Sequence, residues 1–395
     1  MSDFSYRFSV IIPVFNRVLE LQRALESLRQ QIFQRFEVIV VDDGSSPEYG
    51  ERIQALITGL DDPRFSVIRY QPNRNGAYAR NCGIATARGE YICLLDSDDE
   101  WLPEKLDRID QALQAEPHWL VVHHPYQNVV RGERSAPFPV VARRADESVA
   151  EYSFCTNRIG GIQSSCLIVE RELAQRVRFN DILRGHQDWD FALRLGAQSD
   201  CFLFLDQVLT LRHVADTTSG MVSRSLDYSY SLAFLRDYQG YFSPRAQAGY
   251  AAHVLLPKKL NASERLWNRY EMLAALYYPR QVASWLYRLG VLHGRCLRLL
   301  INCKRHNWSR IGLIGFNDYT TFFMNHYARW MSEILLIDRN KSGILAYQRQ
   351  IVSIVNISQE QWENMDCVAT MTDLHRQSMC EEVRHYNPDM PIANF

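Results

Sequence analysis

Apolar runs of strand length alternate with amphipathic stretches over the first hundred residues. Phe8 to Val14 reads as a strand buried on both faces, and Arg17 to Gln31 then sets Leu21, Ala24, Leu25 and Leu28 at helical spacing. Phe36 to Val41 predicts a second buried strand, stopped by Asp42-Asp43-Gly44-Ser45-Ser46. The pattern continues with a helix over Tyr49 to Gly59, a strand over Phe65 to Tyr70, a helix over Ala77 to Ala87 and a strand over Tyr91 to Leu95. Strand alternating with helix implies a mainly parallel sheet with helical crossovers, the α/β class. Further on, Cys166 to Val169 and Phe202 to Leu211 read as strands, and Phe191 to Leu195 as part of a helix. His123-His124 continues the apolar run Trp119 to Val122 and reads as core and edge packing.

From about Asp216 the texture changes. Residues 225 to 305 read as several helices rich in aromatic residues, and strands resume at Ile311 to Ile314, Ile334 to Ile337, Ile351 to Val355 and Val368 to Thr370. The expected organisation is an α/β domain over residues 1–220, a helical connector over 221–308 and a second, small α/β domain over 309–395. No internal repeat or low-complexity linker separates them.

Composition narrows the function. The chain has 395 residues, 47% hydrophobic and 23% charged, with a net charge of -1, so nothing global draws it to nucleic acid. Nine scattered cysteines without a C-x-x-C pair fit reduced thiols, not a disulfide scaffold or a zinc site. The first residues lack the apolar core of a signal peptide, and no apolar run reaches the roughly 18–20 residues of a membrane span. The expectation is a cytoplasmic protein, with any membrane contact peripheral at the inner face.

In parallel sheets, ligands bind at the carboxyl ends of strands. Polar clusters stand at three such ends: Asn16-Arg17, Asp42-Asp43 and Asp96-Ser97-Asp98-Asp99. Crowded carboxylates repel unless a hard cation neutralises them, and such an ion also bridges to diphosphate oxygens. Asp99, just before Trp101-Leu102-Pro103, also reads as a helix N-cap. Asp42 and Asp43 suit a base N–H or a ribose hydroxyl, or a simple turn. Arg80 opens a helix with donors matched to phosphate. Asp188, between Gln187 and Trp189, has the aromatic wall that raises a carboxyl pKa and suits it to take a proton. His213, at the end of a strand, is a further metal or diphosphate candidate. Gly160-Gly161-Ile162-Gln163 reads as a loop that allows close backbone approach.

Taken in order, Ser9 to Arg17, Val40 to Ser45, Asn75-Gly76 with Ala79-Arg80-Asn81, Gly89 to Ile92, Leu95 to Asp99, Trp101 to Leu106 and Gln187 to Phe191 resemble the family 2 glycosyltransferases. The resemblance covers about residues 7 to 215 and implies a GT-A fold, a nucleotide-sugar donor (UDP by default) and Mn2+ or Mg2+ as cofactor. It implies that Pro13, Phe15, Asn16, Asp42 and Asp43 surround the nucleoside, and that Arg80, Asp96 and Ser97 contact the nucleotide sugar. Asp96 and Asp98 correspond to the two ends of the DxD motif, with Asp98 the direct metal ligand and His213 a supporting one. Asp188 corresponds to the base for an inverting transfer to a glycan or lipid-linked acceptor, flanked on the acceptor side by Gly161, Gln163, Gln187 and Trp189. The family usually carries Glu where this chain has Gln187.

Residues 309–395 resemble a Rossmann-like module in which Ile311-Gly312-Leu313-Ile314-Gly315 enters a turn and Asp338 ends the next strand. Asn317 and Thr320 stand where further turn glycines are expected, so the module reads as structural or regulatory. Pro279 to Trp308 carries six basic residues among apolar ones, which suits either a packed connector with a solvated face or an anionic membrane surface. Two other functions compete with the transferase. A sugar nucleotidyltransferase expects glycines after the first strand, where Pro13 to Arg17 has none. A non-catalytic nucleotide- or glycan-binding protein would account for Gln187 as a decayed site.

Overall fold

Strand β1 (Phe8–Val14) lies inside the first sheet, pairing in parallel with β2 (Phe36–Asp43) on one side and β4 (Tyr91–Leu94) on the other. Strand β3 (Phe65–Tyr70) extends the parallel run beyond β2. The computed structural model describes residues 6–158, 160–214, 227–259, 267–315, 318–338, 345–346, 349–353, 356–371 and 376–393. It divides into two compact units, Met1–Leu226 with Ala233–Tyr250, and Asp227–Leu232 with Ala251–Phe395. The sequence-inferred boundary near residue 220 lies outside the described residues, as do residues 215–219 after the last strand of the first unit.

In the first unit, helices α1 (Val18–Arg29), α2 (Pro47–Gly59) and α3 (Gly76–Thr86) are the crossovers between the parallel strands. Helix α1 buries Leu21, Ala24, Leu25 and Leu28, the four residues whose spacing marked it, against Phe8, Val10, Ile12 and Val14. Beyond β4 the sheet becomes mixed: β9 (Leu167–Glu170) is antiparallel to both β4 and β6 (Val121–His123). Strand β10 (Phe202–Phe204) pairs in parallel with β6, giving the order β10-β6-β9-β4-β1-β2-β3. A buried polar pin crosses the middle: Glu37 accepts from the Ser9 hydroxyl and from the backbone and guanidinium of Arg88.

Two expectations need correction. Phe202 to Leu211 is not one strand. The chain leaves the sheet after β10 and re-forms as β11 (Thr210–His213) in a second, four-stranded sheet, between β5 (Asp99–Trp101) and β7 (Tyr126–Val130). The order there is β5-β11-β7-β8, with β8 at Glu133–Arg134. Asp99 is not a helix cap, because it opens β5. Helix α4 (Lys105–Ala115) begins six residues later, with Glu104 at its cap position. His123 and His124 are buried, His123 between the rings of Tyr152 and Phe204, as core packing requires. All nine cysteines are free thiols.

In the second unit, β12 (Arg310–Ile314), β13 (Glu333–Ile337), β15 (Arg349–Val352), β16 (Cys367–Thr370) and β17 (Ile392–Ala393) run in parallel. With the antiparallel β14 (Leu345–Ala346) at one edge, the order is β14-β15-β13-β12-β16-β17. The parallel strands thus follow a doubly wound sequence about β12. Gly315 turns the chain at φ +91°, and the Thr320 hydroxyl donates to its carbonyl. Asn317 lies outside the described residues. Helix Pro279–His306 packs Leu292, Cys296, Leu299 and Cys303 onto this sheet. Among the described residues no helix is long and apolar enough to cross a membrane.

Lys259 and Glu271, both buried in the second unit, pair at 2.6 Å. Glu271 also accepts the Tyr228 hydroxyl and the Asn268 backbone N–H. Removing the cation alone strands a buried carboxylate. Lys259→Met is therefore expected to destabilise this unit by about 3–5 kcal/mol, read as a lower urea midpoint.

Candidate active site

The carboxyl ends of β1, β2 and β4 open into one cavity of about 530 Å3. Pro13, Phe15, Arg17, Asp43, Arg80, Asp96, Ser97, Asp98, Gln163, Gln187, Asp188 and His213 all line it. It sits where neighbours of β1 diverge in chain order, the point at which open α/β sheets bind ligands. Four other proposed residues stand behind the wall. Asp42 is fully buried, accepts the Ser45 N–H and faces the Arg69 guanidinium. Asn16 ties its loop to Ser45 and Ser46. Gly161 and Trp189 contribute packing: Trp189 stacks on His186 with ring centroids 4.3 Å apart.

Asp43 is the hub of the donor-side loop. Its carboxylate accepts the Tyr70 hydroxyl, the Asn73 side-chain amide and the backbone N–H groups of Arg74 and Asn75. Gly44, at φ +72°, lets this loop close, because a Cβ there would lie 2.3 Å from the Asn73 nitrogen. Asn75 then caps α3 by accepting from Ala77 and Tyr78, which brings Gly76 and Arg80 to the cavity. Phe15 is 45% exposed at the rim, an aromatic face open to solvent.

Carboxylates crowd the opposite wall. Arg80 joins Asp96 at 2.5 Å and donates to Gln187 at 3.2 Å, bridging the end of β4 to the start of helix α5, Gln187–Gln198. Arg17 pairs with Asp98 at 2.5 Å, and Arg23 holds the Asp98 carbonyl. Asp99 accepts the Ser165 hydroxyl; desolvation, then the charges of Asp96 and Asp98, push it up to about 8. Asp188 lies half-buried at the first turn of α5. Desolvation is the main cause raising it above the ordinary carboxylate range, and Asp96 adds to the rise. The Trp189 N–H and Arg80 act in the other direction.

His213 lines the cavity but turns Nε2 to Glu100 at 3.0 Å. Among the described residues no three His, Cys, Asp or Glu side chains converge as a ready-made cage. Asp96 and Asp98 on the wall of a polar cavity nevertheless fit a hard cation that takes one or two carboxylates and completes its shell with substrate phosphates and water.

Gln187 is built in. Its amide donates to the Leu183 carbonyl at 2.7 Å while its oxygen accepts from Arg80. A glutamate could accept from Arg80 but would set a carboxylate against that carbonyl. Several contributors escaped the sequence reading. Arg184 and Arg212 line the cavity, and lone arginines in unremarkable local sequence carry no motif. The Ser165 carbonyl receives Trp101, Lys105 and Thr210, tying both sheets to the site.

The family model described as Glycosyl transferase family 2 matches residues 9–177. Amylovoran biosynthesis glycosyltransferase AmsB of Erwinia amylovora is 31% identical over 264 residues, covering 65% of this chain and 84% of AmsB. Putative colanic acid biosynthesis glycosyl transferase WcaA of Escherichia coli is 39% identical over 98 residues, 25% of this chain and 34% of WcaA. The crystal structure of S. aureus TarS superposes with a TM-score of 0.49 at 19% identity, covering 82% of this chain and 91% of that one.

Gly160 adopts φ +100°, and a Cβ there would lie 2.6 Å from the Trp189 indole nitrogen. Gly160→Ala is expected to cost more than about 1 kcal/mol and to lower the thermal midpoint, because neither the backbone nor the stacked ring can yield freely.

Proposed function

The chain belongs to family 2 of the glycosyltransferases, and from that membership we propose that its first unit transfers a sugar from a nucleotide sugar to a hydroxyl of a glycan or lipid-linked acceptor, with inversion, in building a surface polysaccharide. One observation carries the reading: Asp96, Asp98 and Asp188, from stretches ninety residues apart, share a cavity with Arg17, Arg80, Arg184 and Arg212. Two relatives, AmsB and WcaA, are named for amylovoran and colanic acid biosynthesis, which supports a polysaccharide product.

Phe15 offers its ring face to the nucleoside base, and the loop that Asp43 organises frames the ribose. UDP is the donor nucleotide of this reading. Asp98 and Asp96 hold the divalent ion, Mn2+ or Mg2+, with His213 nearby. When bound, that ion supplies the neutralisation that a departing diphosphate needs. The arginines of the cavity add fixed positive charge around the same phosphates. Gln163 and Gln187 border the acceptor side, backed by the packing of Gly161 and Trp189. Asp188 takes the proton of the acceptor hydroxyl. As that oxygen bonds to the anomeric carbon, the bond from carbon to the diphosphate oxygen breaks, and its electron pair leaves with the nucleoside diphosphate. Attack from the opposite face turns an α-linked donor into a β-linked product.

Asp188→Asn is expected to slow nucleoside diphosphate release in the presence of acceptor by about 10²–10⁴-fold; a variant as fast as wild type would remove Asp188 from the role. Because burial raises its pKa, wild-type rate should rise with pH through a carboxylate limb set above the ordinary range. Stability runs the other way. The neutral acid is the cheaper buried form, so stability falls as pH rises through the raised pKa. The asparagine variant should therefore melt no lower than wild type at neutral pH, and this advantage should vanish below the unfolded carboxyl pKa. Thermal-shift screening of nucleoside diphosphates, with and without Mn2+, tests the metal: stabilisation that does not depend on the ion would oppose the role given to Asp98.

A further inference from the structure

Helix Pro279–His306 has two faces of different character. Val282, Trp285, Leu292, Cys296, Leu299 and Cys303 are buried, at the spacing of one packed stripe. On the opposite side Leu286, Tyr287, Leu297 and Ile301 remain between 47% and 74% exposed. Gly290 and Gly294 continue that outward stripe between Leu286 and Leu297, and among the described residues nothing lies within 4 Å of where their Cβ atoms would be. A soluble helix normally turns such leucines inward. On the preceding helix, Arg269–Tyr277, Met272 and Leu276 are likewise exposed, four residues apart.

The charge on this helix is of one sign. It holds Arg280, Arg288, Arg295, Arg298, Lys304 and Arg305 and no acidic residue. Arg280, Arg298, Lys304 and Arg305 fall on the outward face with the exposed apolar side chains, by the 100° step of a helix. Arg295 instead lies over the Tyr319 ring. Among the described residues, none of these four outward cations has a carboxylate partner. The chain as a whole is close to neutral, so this concentration is local.

From these faces we infer that the outward side of helix Pro279–His306 docks on an anionic bilayer, with Leu286, Leu297 and Ile301 entering the headgroup boundary and the basic side chains meeting lipid phosphates. Charge complementarity selects this occupant. A second copy seated on the same face across a two-fold axis would set arginine against arginine. A nucleic acid would satisfy the charges but leave the leucines uncovered. A bilayer boundary accepts both: long basic side chains extend to the phosphates while their stems and the aliphatic residues lie below. The inference rests on the second unit alone and does not depend on the transfer chemistry of the first.

The test is flotation of the full-length protein with vesicles of phosphatidylcholine alone and of phosphatidylcholine mixed with phosphatidylglycerol. Wild type should float with the mixed vesicles and not with the neutral ones. Arg298→Glu/Lys304→Glu/Arg305→Glu should lower the bound fraction at least about tenfold, and Leu286→Ser/Leu297→Ser/Ile301→Ser should do the same with every charge kept. Unchanged circular dichroism and an unchanged urea midpoint would show that both variants are folded. The inference is overturned if wild type stays unbound by either vesicle or if the serine variant floats like wild type. It is equally overturned if the protein forms a dimer that the serine variant loses, or if duplex RNA holds it more tightly than the mixed vesicles do.

Discussion

Carboxylates brought to one rim of a sheet repel one another, and the first unit is organised around that repulsion. Asp96, Asp98, Asp99 and Asp188 reach the same cavity from the turn after β4, from the start of β5 and from a helix more than eighty residues further on. Arg80 makes the arrangement possible. It is buried, it pairs with Asp96, and its other arm reaches the side chain that opens α5. The same guanidinium that neutralises one wall therefore fixes the distance to the wall bearing Asp188. Arg17 does the equivalent work for Asp98 from the end of β1. Burial, and then the repulsion that remains, appears in protonation: Asp99 and Asp188 both sit above the usual carboxylate range.

Much of this was legible in the sequence, and the parts that were not share a cause. Strands β1 and β3 begin and end where the apolar runs do, because buried parallel strands leave a contiguous local signature. The Phe202 to Leu211 run reads as one strand because apolar residues dominate it, and only Asp206-Gln207 hints at a break. Only partners distant in sequence, His123 for one half and Asp99 to Trp101 for the other, divide it between two sheets. Asp99 reads locally as a cap for the same reason, since its strand partner Arg212 is distant in sequence. The contrast between Asp42 and Asp43 was accessible. Successive strand residues face opposite sides, so the two could not both meet the ligand; Asp43 lines the cavity and Asp42 pairs with Arg69 behind it. Arg184, Arg212 and Ser165 were out of reach, since their importance lies in spatial neighbours and not in local pattern.

The second unit gives the same lesson in another form. Its glycine pattern is broken for a dinucleotide site, yet its parallel strands follow a doubly wound order. Thr320, at a position where glycine was expected, has a buried side chain whose hydroxyl closes on the Gly315 carbonyl. Topology here is set by buried strands such as Ile311–Ile314 and Cys367–Thr370, which are indifferent to what the connecting turn binds.

The Arg17–Asp98 pair has a consequence for how small ions and anions meet at this cavity. Each charge is already committed to the other. A cation that takes the Asp98 oxygen displaces the guanidinium, which is then left to seek an anion. An anion that recruits Arg17 bares the carboxylate in turn. The two uptakes are therefore thermodynamically linked, each strengthening the other by the same factor, and the internal ion pair acts as a placeholder that discourages either from lodging alone.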